Sequence, residues 1–139
     1  MFDQVQTTVP SFRIISKPGV TSPSTEPALR SFLVATIDGF QILRLQQIVY
    51  LRYNTEAKRW VAVLNEMNEV SLRRNTKAKD ILEYSSLFMQ INRDHIINID
   101  YLSMVKGKEC ILTHPFDKVK DLGASSGFIH QLQERFVQL

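Results

Sequence analysis

Cysteine is almost absent from this chain, since Cys110 is the only one among 139 residues. A lone cysteine excludes an internal disulfide and is typical of proteins from a reducing compartment. Long apolar runs are also missing, because no segment approaches the roughly eighteen residues that a membrane-spanning helix needs. Residues 1–6 carry neither a basic patch nor an apolar stretch, so we expect no signal peptide. These absences predict a cytoplasmic protein without a membrane partner.

The sequence also lacks the motifs of common catalytic and cofactor sites. It contains no Gly-x-Ser-x-Gly elbow, no phosphate-binding loop and no dinucleotide fingerprint. The histidines His95, His114 and His130 show no metal-ligand pairing, and Cys110 with His114 would need two further ligands. A dyad of Cys110 with a histidine would have no third residue to orient it. We therefore expect no enzyme activity, no metal site and no cofactor.

The net charge is small, and only the distribution of the charged residues along the chain is informative. The chain carries 17 basic and 14 acidic residues, for a net charge of +3, which does not by itself indicate nucleic-acid binding. With 44% hydrophobic and 22% charged residues, the composition is that of a soluble globular protein. Length and composition together allow one domain with a real core.

The first thirty residues differ in composition from the rest of the chain. Four of the five prolines fall there: Pro10, Pro18, Pro23 and Pro27. A segment rich in Pro, Ser and Thr buries too little apolar surface to offset its ordering entropy. We expect residues 1–30 to form a flexible tail or linker, in which 12–15 could dock on the body, and residues 31–139 to form the domain.

From residue 31 onward, short strands dominate the pattern. Runs 32–37 and 40–43 flank Asp38-Gly39, a strong hairpin turn. Further strands are predicted over 47–53, 59–64, 69–73, 101–105, 110–113 and 118–122, and on both sides of a corner within 88–98. Many short strands with few helices predict a mainly β fold of small packed sheets, an elongated sandwich.

Two helices interrupt or follow these strands. Asn75 or Thr76 can cap the first, an internal helix, and Ser125 or Ser126 can begin the second, at the C-terminus. The inward face of the first helix is predicted at Ala78, Ile81, Leu82 and Ser85. The apolar face of the second is predicted at Phe128, Ile129, Leu132 and Phe136.

Basic residues cluster in two of the predicted connections. Lys58 and Arg59 stand between two predicted strands, and Arg74 and Lys77 belong to the acid-free run 73–79 beside the first helix. A helix N-terminus offers free N–H groups and a positive dipole end, so this run could bind a phosphate. The alternative for each residue is a solvated surface charge.

The stretch 88–98 places a polar corner between apolar anchors. Asn92, Arg93, Asp94 and His95 are flanked by apolar residues on both sides, which predicts a strand, an exposed corner and a second strand. The Arg93 guanidinium suits a bidentate contact with guanine or phosphate, and Asn92 could read adenine. An ordinary turn with solvated side chains is the alternative. For Arg52 and Lys79 elsewhere, a solvated charge is the better interpretation.

The same stretch resembles the signature of LytTR-type DNA-binding domains, Phe-x-Arg-x-His-Arg-Ser-x-Ile-Val-Asn. The matching positions are Phe88, Arg93, Ile96 and Asn98, with Ile97 as a conservative replacement. The departures are Gln90 in place of Arg, Asn92 in place of His and Asp94 in place of Ser. The resemblance extends over residues 32–122 in the order of predicted elements.

This resemblance implies a transcriptional regulator that docks loops, not a recognition helix, into successive major grooves of double-stranded DNA. It further implies paired direct repeats as targets, which could assemble a homodimer on DNA. The implied contacts are Lys58 and Arg59 in a first loop, and Asn92 and Arg93 in a second. In the third loop, where an Arg is common, this chain offers only the hydroxyl of Ser125. Asn98 is implied to hold the backbone of the corner.

Two classes of function remain open from sequence. The first is the sequence-specific, double-stranded DNA-binding regulator. The second is a β-rich protein-interaction or small-ligand sensory domain without DNA binding, favoured by the modest net charge, the missing third-loop Arg and strand edges that could accept a peptide. A single-stranded nucleic-acid binder is weaker, because no regular aromatic ladder accompanies the basic stretches.

Overall fold

The computed structural model describes residues 30–139, and this range forms nine strands and two helices. The predicted tail, apart from Arg30, lies outside the described residues. The strands are β1 (Ser31–Ala35), β2 (Phe40–Arg44), β3 (Ile48–Asn54), β4 (Arg59–Leu64), β5 (Glu69–Ser71), β6 (Phe88–Asn92), β7 (His95–Asn98), β8 (Leu102–Lys106) and β9 (Glu109–Leu112). The helices are α1 (Ala78–Tyr84) and α2 (Ser126–Arg135).

The strands form one central sheet and two flanking hairpins. The central sheet has five antiparallel strands in the order β5-β4-β3-β7-β6, and β1–β2 and β8–β9 each form a two-stranded sheet. The predicted turn at Asp38-Gly39 connects β1 to β2, and the Thr36 N–H donates to the Gly39 carbonyl at 2.8 Å. The mainly β fold of small packed sheets, with one internal and one C-terminal helix, is thus confirmed.

Both faces of the central sheet are covered by other elements. Ile96 and Ile97 are neighbours in β7, point to opposite faces and are both fully buried. On the first face, β1–β2 and α1 contribute residues such as Ile81 to one core. On the second face, β8–β9 and α2 contribute residues such as Phe128 to another. Burial on both faces explains why β4 is an almost continuous apolar run.

The strand predicted over 118–122 is wrong. This segment runs beside β9, where the Cys110 N–H donates to the Leu122 carbonyl, but its pairing is limited to an isolated bridge between Glu109 and Gly123. Asp121 has a φ of 68°, which breaks an extended conformation. The Leu122 N–H instead donates to the Glu109 carboxylate at 3.2 Å.

Helix α1 begins later and ends sooner than the sequence pattern predicts. Lys77 precedes it in place of Asn75 or Thr76, and its N–H donates to the Asp80 carboxylate at 2.9 Å. Ser85, predicted on the helix face, is extended and buried, and its hydroxyl accepts from the Leu87 N–H. A hydrogen bond that the Asp80 carboxylate accepts thus stabilises the helix start in place of the predicted hydroxyl or amide cap.

Helix α2 begins where the sequence predicts. The Ser125 hydroxyl accepts from the Phe128 N–H at 3.1 Å and caps the first turn. Phe128 is buried, and Ile129 and Leu132 are half-buried against the same core. Phe136 lies just beyond the last turn and is 53% exposed, so its predicted place on the inward face is wrong.

Candidate nucleic-acid interface

The strand order brings three polar connections to one end of the central sheet. The β3–β4 connection follows Asn54, and Arg52 pairs with His95 at the start of β7. The β6–β7 turn therefore lies beside the β3–β4 turn, and the Tyr53 N–H donates to the Asp94 carbonyl at 2.8 Å. Ser71, the last residue of β5, is paired with the early part of β4, so the segment 72–77 leaves the sheet at this same end.

The start of α2 is tied to the same end by two hydrogen bonds. The Ser125 N–H donates to the Ile91 carbonyl, and the Asn92 side-chain amide donates to the Gly123 carbonyl, both at 2.7 Å. We call this end of the sheet, with the segments 55–58, 72–77, 92–95 and 123–126, the loop edge. Four inter-strand steps of about 4.8 Å make it roughly 19 Å long between β5 and β6.

The β3–β4 turn at the loop edge is held by Asn54. Its side-chain oxygen accepts from the N–H groups of Glu56 at 3.0 Å and Ala57 at 3.1 Å. Lys58 closes the turn with a φ of 56° and is exposed. A backbone fixed in this way presents the Lys58 ammonium from a stable position.

Lys58, Arg74 and Lys77 surround one surface depression. Its volume is about 690 Å³, and the aromatic rings of Tyr53 and Trp60 also line it. None of the described residues that line it is acidic. Two basic clusters that are distant in sequence thus form one electropositive surface, with aromatic rings beneath it.

The N-terminus of α1 is less favourable for a phosphate than the sequence pattern predicts. The Asp80 carboxylate already accepts from the Lys77 N–H, and it places a negative charge at this helix end. The helix has only seven residues, so its dipole is short. Any phosphate held near here would be held by the Arg74 and Lys77 side chains.

The Asn92 side chain fixes the backbone of the β6–β7 turn by hydrogen bonds. Besides the bond to Gly123, its side-chain oxygen accepts from the Asp94 N–H at 2.9 Å and from the His95 ring at 3.0 Å. A bidentate contact with adenine would need the same oxygen and amide. In this structure, Asn92 positions the turn that carries Arg93.

Arg93 and Ser125 lie at a second depression of about 520 Å³. Arg93 is exposed, and none of the ion pairs formed within residues 30–139 involves it. The Ser125 oxygen accepts from the Phe128 N–H, but its hydroxyl proton remains a possible donor. Gln90 and Gln131 also line this depression. Gln90 lies beside Arg93 because its side-chain amide donates to the Arg93 carbonyl at 3.4 Å. Gln131 could not be proposed from sequence, because only the docking of α2 brings it here.

Arg59 lies apart from the Lys58 depression. It is half-buried and lines a different cavity, between the β1–β2 hairpin and the central sheet, and its Nε is buried without a hydrogen-bond partner within residues 30–139. Lys58 therefore lines the depression at the loop edge, whereas the adjacent Arg59 lines the cavity under the β1–β2 hairpin. Arg52 pairs with Glu69 at 2.8 Å, which agrees with its interpretation as a surface charge.

Asn98 is structural, as implied, but it does not hold the corner. It is 1% exposed, and its amide donates to the carbonyls of Ile48 at 3.0 Å and Leu45 at 3.4 Å. Its oxygen accepts from the Asp100 N–H at 3.0 Å. Because β7 ends at Asn98, these bonds secure the opposite end of the sheet from Arg93.

His95 lies half-buried at the base of the corner. Its Nδ1 donates to the Asn92 oxygen, which can only accept. Burial lowers the pKa of His95 below its usual 6.5, the carboxylates of Asp94 and Asp121 act in the opposite direction, and Arg52 adds to the lowering. The neutral imidazole is therefore the favoured form in the folded chain.

We expect the His95 imidazole to titrate below pH 6.5 when followed by NMR. The free energy of unfolding should then decrease as the pH falls through 6.5 toward the folded-state pKa, because the unfolded chain takes up a proton that the folded chain resists. A His95→Gln variant should lose this part of the pH dependence. A titration midpoint at or above 6.5 would contradict the assignment.

The remaining titratable candidate, Cys110, is unsuited to nucleophilic chemistry. It is fully buried, and burial with the nearby Glu109 raises the pKa of its thiol to about 11, so the thiolate is scarce at neutral pH. Within residues 30–139, no group of three His, Cys, Asp or Glu side chains is arranged to hold a metal ion. No helix in this range has the length and apolarity to cross a membrane.

Comparison with known proteins gives one informative result. No protein-family model matches the chain, and no curated protein is similar to it in sequence. Among solved structures, the chain is similar to one described as the LytTr DNA-binding domain of a putative methyl-accepting/DNA response regulator from Bacillus cereus, with a TM-score of 0.51 and 15% identity. The similarity covers 76% of this chain and 94% of that chain. At this identity it shows the fold alone, and the fold implied by the resemblance of residues 88–98 is confirmed.

Proposed function

We propose that the chain belongs to the LytTR family and is a sequence-specific, double-stranded DNA-binding regulator of transcription. It would act in the cytoplasm and dock its loop edge into the major groove. The observation that carries this proposal is the convergence of Lys58, Arg74 and Arg93 on one end of a rigid sheet. Their side chains form none of the ion pairs seen within residues 30–139 and are therefore available to phosphates and bases.

The proposal gives each part of the loop edge a separate task. Lys58, Arg74 and Lys77 would bind phosphates and supply most of the affinity, which carries no sequence information. Arg93 would read a guanine in the groove, positioned by Asn92. The Ser125 hydroxyl would donate to a phosphate beside the groove that Arg93 enters. Arg59 could contribute only if its half-buried side chain turned outward.

The length of the loop edge is compatible with two neighbouring grooves. The backbone span of the loop edge is roughly 19 Å, and long basic side chains at both ends extend it. The extended span is then comparable with one helical turn of DNA, about 34 Å. One copy would then contact one helical turn of one DNA face. A longer target would need a second copy, which supports paired direct repeats and a homodimer assembled on DNA.

The proposal is tested by fluorescence anisotropy of a labelled random duplex titrated with the full chain at several salt concentrations. Each phosphate neutralised should contribute a slope of about −0.9 in log affinity against log salt. The three phosphate contacts assigned to Lys58, Arg74 and Lys77 together predict a slope of roughly −3. Absent or salt-insensitive binding would contradict the proposal and favour the alternative, a β-rich interaction or sensory domain without DNA binding.

Replacing Arg74 with alanine should weaken binding to all duplexes alike, since Arg74 is assigned to phosphate alone. We expect the salt slope to become shallower by about 0.9, with an unchanged affinity ratio between a duplex selected from a random pool and its scrambled version. Arg44→Ala, which removes an exposed arginine of the β1–β2 hairpin away from the loop edge, is the matched control and should leave both quantities unchanged. A change in the affinity ratio with Arg74→Ala would contradict the assignment.

A further inference from the structure

A cavity of about 600 Å³ lies between the β1–β2 hairpin and the central sheet. Its wall is mainly apolar, with Phe32 and Val34 from the hairpin, Leu51 from the sheet and Ile81 from α1. Sites that enclose small organic molecules have volumes of about 300–1,000 Å³ and are lined in the same way, with a few polar groups. The cavity adjoins the two depressions of the loop edge, since it shares Thr76 with the first and Phe88 with the second.

The charged groups of this cavity are all cationic. Arg59 and Arg73 line it, no acidic residue does, and its other polar residues carry hydroxyls: Ser31, Ser71, Thr76 and Tyr84. The ion pairs formed within residues 30–139 involve neither arginine. The Arg59 Nε is buried and has no hydrogen-bond partner in this part of the chain. Because this Nε is itself out of reach of a ligand, an anionic group in the cavity would pair with the terminal nitrogens of Arg59, which no acceptor in this part of the chain holds.

The hairpin over the cavity is attached in a way that allows a ligand to enter. β1 and β2 pair with each other and not with a strand of the central sheet. The bond from the Leu45 N–H to the Arg30 carbonyl, at 2.8 Å, closes the base of the hairpin itself. The Asn98 amide of β7 donates to the Leu45 carbonyl just after the hairpin at 3.4 Å, and over the cavity the hairpin is attached by side-chain packing, as by Phe32 on Tyr84 and Phe88. A cover held by packing opens at a lower free-energy cost than a strand bonded into a sheet.

We infer that this cavity binds an amphipathic organic anion, with its carboxylate on Arg59 and its hydrocarbon part against the apolar wall. Arginine is suited to the head group, because its fork of donors matches the two oxygens of a carboxylate. The apolar wall supplies affinity in proportion to the hydrocarbon area removed from water. This binding does not depend on the proposed DNA-binding function, and its test contains no DNA.

The first arm of the test uses the full chain and the soluble probes hexanoate and octanoate, with methyl groups observed by NMR. Saturable shifts are expected for methyls of Val34, Leu43 and Ile81, and none for Leu112 and Leu122 in the core on the opposite face. Octanoate, with two more methylenes, should bind about 15-fold tighter than hexanoate. Affinity independent of chain length, shifts in the opposite core, or no saturable binding would each overturn the proposal.

The second arm tests the head group. Octanoate should bind the parent chain at least tenfold tighter than 1-octanol, and Arg59→Met should remove this difference while the binding of 1-octanol is kept. Lys58→Met, the adjacent cation outside the cavity, should behave as the parent. If thermal melting shows that Arg59→Met is unfolded, the affinities of octanoate and 1-octanol for the parent chain alone test the proposal. Equal affinity of the two probes for the parent would overturn the proposal.

Discussion

Replacing Arg93 with alanine should weaken binding to the preferred duplex by about 1–3 kcal/mol, a factor of roughly 5 to 150. The same change should reduce discrimination at one base pair, because a bidentate guanidinium contact with guanine is lost. On a scrambled duplex the loss should be smaller, since only one charge is removed. Competition anisotropy against a set of single-base variants of the selected site measures both effects.

The expected loss is large because the structure presents Arg93 from a rigid support. Its turn is fixed by the three hydrogen bonds of the Asn92 side chain and by the backbone bond from Tyr53 to Asp94. On either side of the turn, Ile91 and Ile96 are fully buried. Little conformational entropy of the backbone is then lost when the guanidinium meets a base.

Two variants separate base reading from charge. Arg93→Lys keeps the charge but loses the planar fork, so the salt slope should be kept while base discrimination falls. Arg44→Ala, in the β1–β2 hairpin away from the loop edge, should behave as the parent. If Arg93→Ala bound selected and scrambled duplexes with the affinities of the parent, Arg93 would not be a base-reading residue.

Replacing Phe128 with alanine should lower the free energy of unfolding by about 3–5 kcal/mol. Phe128 is 1% exposed and is the one fully buried side chain of α2, so it anchors the helix to the second face of the sheet. Its removal leaves a cavity among Ile91, Ile97 and Leu112, which the surrounding strands cannot close. Urea or guanidinium denaturation of the full chain measures the change.

Phe136 provides the matched control for this prediction. It is also a phenylalanine near the C-terminus, but it is 53% exposed and lies beyond the last turn of α2. Phe136→Ala should therefore cost about 0.5 kcal/mol or less. Equal destabilisation by Phe128→Ala and Phe136→Ala would show that α2 is not anchored as the structure has it.

The sequence predicts local structure well here, because the local signals are strong. The strand over 59–64 has the bounds that its apolar run predicts, and the corner at Arg93 lies between two strands as expected. The second helix begins at its Ser125 cap. Each of these features depends on neighbours in the chain, whose periodicity and cap residues can be read directly.

Features that depend on distant residues could not be read in this way. Lys58 and Arg74 line the same depression because of the order of β3, β4 and β5 in the sheet, and no local sequence pattern determines that order. The holding role of Asn92 depends on Gly123, thirty-one positions away. Arg59 lines a different cavity from Lys58 because of where the β1–β2 hairpin packs.

Amide NMR during titration with a selected duplex shows most directly whether basic side chains of separate loops contact one duplex at the same time. We expect shifts that saturate together at Lys58, Arg74, Arg93 and Ser125, with no shift at Arg44 or at the end of β7. Shifts confined to one of these loops, or centred on the opposite end of the sheet, would contradict it.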